Sequence, residues 1–102
     1  MSFTRQVQAL TAALSDPKQR FEVMRTLNFL KDAYSAGKMS DEQLLSDVKE
    51  VCEATIALAS PDLTEDEVRE RAATVAEEIV KSIKIECLFR RTLTRVRPTP
   101  LF

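Results

Sequence analysis

The chain has no histidine, a single glycine and only two cysteines in 102 residues. Each shortage excludes something. Without histidine the commonest general base is missing. So are the Ser-His-Asp and Cys-His nucleophile systems and every histidine-dependent metal site. One glycine, Gly37, argues against a β-rich fold with many tight turns and leaves no Gly-rich phosphate loop. Cys52 and Cys87 show no paired spacing. They read as reduced core residues of a cytoplasmic protein, because free cysteine is among the most buried residue types; a disulfide between them stays open at this point. No apolar run approaches the roughly 18–20 residues of a membrane span, and the first residues lack the charged-then-apolar pattern of a signal peptide. No membrane partner is expected.

What is present belongs to helices. The apolar fraction of 44% and charged fraction of 30% are those of a globular chain. At this length the expectation is a helical bundle domain over 1–84 and an extension over 85–102. Two helix-start motifs stand out, Met39-Ser40-Asp41-Glu42-Gln43-Leu44 and Leu63-Thr64-Glu65-Asp66-Glu67-Val68. In each, the hydroxyl can accept from the backbone N–H three residues on and the Gln or Glu can reach back. The flanking apolar pair forms a staple, and acidic residues suit the positive end of a helix.

The spacing predicts four helices. Phe3, Val7, Leu10 and Leu14 make one stripe over about 3–14, a helix short enough to cap the bundle rather than span it. Asp16-Pro17, with Gln19, starts a second helix running to about Ala36, where Gly37 supplies a left-handed cap. Its stripe is Val23, Leu27, Leu30 and Tyr34, widened by Met24 and Phe21, with Phe29 off centre. The third helix, from Asp41 to about Ala59, buries Leu44, Leu45, Val48, Val51, Cys52 and Leu58, with Thr55 at the edge; Ser60-Pro61-Asp62 breaks it. The fourth follows Thr64 and buries Val68, Ala72, Val75, Ala76, Ile79 and Ile83. Short connections make consecutive helices antiparallel. The expected fold is all-α, an antiparallel bundle of four main helices with a C-terminal extension used for association.

That extension breaks the pattern. Ile85, Leu88, Phe89, Leu93 and Val96 centre about 120° from the Val68–Ile83 stripe. Either the helix continues with a second apolar face, or Thr92–Arg97 forms a short strand that needs another chain's edge. Pro98-Thr99-Pro100 forces an extended stretch before Leu101-Phe102. Charge is also divided. Residues 62–78 carry seven acidic residues against Arg69 and Arg71, whereas 81–102 carry six basic residues against Glu86.

No catalytic constellation is visible, and neither a cofactor nor a small-molecule substrate is evident. The carboxylates at helix starts have a capping explanation, and Glu77-Glu78 lacks the histidine that helical di-metal sites combine with Glu. The expected function is a small non-catalytic interaction or accessory protein, most simply a homodimer. It would bury Phe89, Leu93, Val96, Leu101 and Phe102 against its partner, and its basic tail matches the acidic start of the fourth helix in sign. The alternative is a nucleic-acid-associated protein using Lys84, Arg90, Arg91, Arg95 and Arg97 on phosphates. A sequence pI of about 5.5 and the lack of aromatics among the basic residues beyond Phe89 weigh against it.

Overall fold

The computed structural model describes the backbone of residues 2–96 and the side chains of residues 2–88. It is all-helical, with four helices packed against each other: α1 (Phe3–Thr11), α2 (Pro17–Ser35), α3 (Asp41–Ala59) and α4 (Glu65–Val96). No strand occurs among the described residues.

Local chemistry accounts for the boundaries. Asp16 accepts from the Lys18 N–H at 2.9 Å, and Pro17 takes the first helical position, where its missing N–H costs nothing. Gly37 sits at φ +75°, so the turn after α2 closes with Lys38 N–H donating to the Ala33 carbonyl at 2.9 Å. Thr64 and Glu67 form the full reciprocal box. The Thr64 N–H donates to Glu67 at 3.0 Å, and the Glu67 N–H donates to the Thr64 hydroxyl at 3.2 Å. The α3 motif completes only half of its box. Ser40 accepts from the Gln43 N–H at 3.1 Å, but the Gln43 amide donates forward to Asp47 at 2.9 Å instead of back to the cap.

Contacts at one end of the bundle set the helix directions. Phe3 lies beside Glu86, and Gln6 accepts from the Ser82 hydroxyl, so α1 runs antiparallel to α4. Lys31 also reaches Glu86, which levels the start of α1 with the late part of α2. Asp41, which opens α3, meets both Tyr34 of α2 and Lys84 of α4. The bundle is therefore antiparallel along the chain. The α3–α4 interface is the most extensive, α2 packs on α3, and α1 bridges α2 and α4.

The core is one cluster in which Leu27, Leu44, Val48, Cys52, Ala72, Ala76, Ile79 and Ile83 are all fully shielded. Alanines at 72 and 76 let α4 approach its neighbours closely. Cys52 and Cys87 are both buried and free. No buried side-chain nitrogen or oxygen among the described residues lacks a partner.

Four expectations need correction. Helix α1 ends at Thr11, not Leu14; the Thr11 hydroxyl turns back onto the Val7 carbonyl at 3.0 Å, and the chain then turns so that Leu14 still reaches the interior. Phe21 is 65% exposed, because it lies about 140° around α2 from the Leu27–Tyr34 stripe. Leu58 shares the buried side of α3 but is exposed, since it occupies the final turn where the neighbouring helices no longer cover it; Leu45 is exposed as well. Thr55, expected at an edge, is fully buried with its hydroxyl donating to the Val51 carbonyl at 2.8 Å.

Candidate interaction surface

The bundle is tied together at the end where α2 turns into α3. The Glu86 carboxylate accepts from the Phe3 N–H at 3.1 Å and from the Lys31 ammonium at 3.2 Å. It caps α1, whose positive end it faces, and joins three helices at one residue. The Lys31 ammonium also lies 4.9 Å from the centre of the Phe3 ring, a cation–π contact with most of the lysine stem shielded. One turn away, the Ser35 hydroxyl and the Cys87 thiol are 2.8 Å apart.

Asp41 accepts from the Tyr34 hydroxyl at 2.6 Å and pairs with Lys84 at 3.0 Å. The tyrosine bond, then the lysine, hold its carboxyl below the ordinary carboxylate range. Glu67 is likewise held below its usual range by the backbone and hydroxyl of Thr64. Burial pushes the Cys52 thiol up to about 12, so it stays neutral. These groups serve caps and the core. No cluster of metal-ligating side chains occurs among the described residues, and no helix there is long and apolar enough to cross a membrane.

No family model matches this sequence, and comparison with curated proteins and with solved structures finds no match.

Three apolar features reach the surface. The first is α4 at its exit from the bundle. Ser35 contacts Cys87, so the α2–α3 turn is level with the residues around Cys87, and the nine residues from Leu88 to Val96 extend about 13 Å past it. Ile85 and Leu88 are 59% and 65% exposed there. The second is a cleft of about 630 Å³ where α1 and α4 meet the end of α3, lined by the apolar Ala9, Leu10, Ala13, Ile56, Ala59 and Val75 and by the charged Glu67, Glu70 and Arg71. It continues towards Glu78 and Ile79. The third is the outer face of α2, where exposed Phe21 and Phe29 flank Arg25.

The first feature lies in line with the acidic edge of the second. Ile85 follows Glu78 by seven residues and Leu88 follows Glu70 by eighteen, which brings each pair back to nearly the same azimuth on α4. Of the residues expected to carry function, Lys84 is engaged by Asp41. The side chains of Phe89, Arg90, Arg91, Leu93, Arg95 and Val96, and residues Arg97, Leu101 and Phe102, lie outside the described residues. Sequence reasoning missed the cleft altogether. It arises from which side of α4 the short α1 covers, and that is set by the Glu86 and Ser82 contacts across more than seventy residues of chain.

Proposed function

We propose that this chain is a small, non-catalytic interaction or accessory protein of the cytoplasm that pairs with a second copy of itself through the end of α4 and the segment beyond. The observation that carries the reading is the pair Ile85 and Leu88, two large apolar side chains exposed on α4 where it leaves the bundle. Removing such groups from water is worth roughly 1.5–3 kcal/mol each on full burial. The sequence beyond them adds Phe89, Leu93 and Val96 to the apolar supply, and Arg90, Arg91, Arg95 and Arg97 to set register against an acidic surface. Two free buried cysteines suit a reducing compartment.

The test is the solution mass of the full chain at low and at high salt, beside an Ile85→Glu/Leu88→Glu variant checked for native helicity. The expected result is a dimer that persists at high salt and a folded, monomeric variant. A monomeric parent chain overturns the reading. The nucleic-acid alternative rests on the same arginine-rich segment, with Lys84 already occupied by Asp41. It predicts duplex binding that collapses steeply as salt is added.

A further inference from the structure

The α1–α4 cleft is apolar in its floor and acidic at its rim, with Glu67, Glu70 and Glu78 against Arg71. The chain holds a segment of complementary character. Residues 89–102 carry four arginines and no acid, and include the sequence Pro98-Thr99-Pro100-Leu101-Phe102, two prolines followed by two large apolar residues.

Reach decides which copy's cleft that segment can occupy. Phe102 lies six residues beyond Val96, so it extends at most about 20–22 Å from the end of α4. The middle of the cleft, at Val75, is 21 residues back along the same helix, or about 32 Å. The segment cannot enter the cleft of its own bundle, whatever sequence follows Phe102.

In a twofold pair it can enter the other copy's cleft. If two α4 helices lie antiparallel with the dyad near Leu88, Val96 of one stands opposite residue 80 of the other. Six extended residues then cover about 20 Å, or about 13 residues of helix, and run from residue 80 back towards 67. That is the length of the cleft. The shared azimuth of Ile85 and Leu88 with Glu78 and Glu70 puts the helix contact in line with the acidic side of the cleft, while Val75 lies about 80–140° further round α4.

Area points the same way. Ile85 and Leu88 from two copies remove on the order of 400 Å² of apolar surface, taking roughly 100 Å² per side chain. A stable interface buries about 1,200 Å² or more, and an occupied cleft adds to what the paired helices supply. We propose that, within the dimer inferred above and resting on that reading, residues 97–102 of each copy seat in the α1–α4 cleft of the other, with Leu101 and Phe102 on its apolar floor.

The experiment mixes two full-length chains, one carrying Ala13→Cys at the cleft and the other Leu101→Cys, under brief oxidation; a chain carrying Ala57→Cys on the exposed side of α3 replaces the first as control. Ala13 and Ala57 are both exposed, and native Cys52 and Cys87 are buried. The expected result is a 13–101 covalent dimer formed at least about tenfold faster than the 57–101 product, with Glu70→Lys/Glu78→Lys weakening dimerisation by a similar factor. A dimer that shows no preference for position 13 and no response to charge reversal overturns the cleft assignment and leaves the dimer standing. A monomeric parent chain overturns both.

Discussion

Glu86 is the residue whose loss tests the architecture most sharply. Replacing it with alanine removes one acceptor from two donors. The Phe3 N–H loses its cap, worth about 1 kcal/mol by analogy with other N-terminal caps. Lys31 loses a charge-assisted partner, and with the Glu86 side chain 38% exposed that share is discounted for solvent screening to about 0.5–1 kcal/mol. The sum is about 1.5–2 kcal/mol. For 102 residues the entropy of unfolding is about 0.21 kcal/mol per kelvin, so Glu86→Ala should lower Tm by about 7–9 °C. Lys31→Met keeps the cap but loses both the ion pair and the cation–π contact with Phe3, so it should cost about 1–2 kcal/mol. Thermal and urea unfolding of both variants and of the double variant, followed by far-ultraviolet circular dichroism, closes the cycle. The two sites should couple by about 0.5–1 kcal/mol. A Glu86→Ala chain that melts within 2 °C of the parent, or two sites that do not couple, refutes the claim that this carboxylate holds α1 to α2 and α4.

Gly37→Ala should destabilise by about 1–2 kcal/mol in urea unfolding; the space around a new Cβ is open, so the cost comes from φ +75° alone. Asp41 and Glu67 both titrate below their ordinary values of 3.8 and 4.5, so the native state releases their protons more readily than the unfolded state. Their contribution is fully present above about pH 5 and is lost as pH falls through the depressed values; Asp41→Asn and Glu67→Gln should each flatten the acid limb of the stability profile. The Cys52 thiol, raised from 9.0 to about 12, should be inert to a thiol reagent at pH 8 in the native chain. Buried Cys87 should behave likewise, and both should react in denaturant; rapid native-state labelling at Cys52 would contradict its burial.

Much of this fold is local chemistry and was legible as such. The starts of α2, α3 and α4 are written in Asp16-Pro17, Ser40 and Thr64, because a cap is satisfied by atoms within three residues of itself. Gly37 marks the end of α2 for the same reason. The central stripes of α3 and α4 followed from period alone. Burial at helix ends did not: Leu58 has the right azimuth and no neighbour, whereas Thr55 is deep enough to be shielded and bonds its own helix backbone. Glu86 read as one acid in a basic stretch. Its partners are 83 and 55 residues away, and only the packed arrangement of α1 and α2 reveals them. The cleft has the same origin and was out of reach of a linear reading, whereas the exposed pair Ile85 and Leu88 already stood out as a break in the α4 stripe.

The anchoring of α1 carries a kinetic consequence. Its nine residues are too few to persist as a helix without the bundle, and its polar ties to α4 gather at its first two turns, through Phe3 and Gln6. Its later residues line a cleft. Its amides should therefore open as one unit, ahead of global unfolding, and exchange with solvent faster than those of Leu44–Thr55 or Ala72–Ile83. Each such opening bares the part of the core that Phe3 and Val7 complete. Occupation of the cleft would then register as slowed deuterium uptake in residues 3–11, a signal carried by a helix that holds only part of the site.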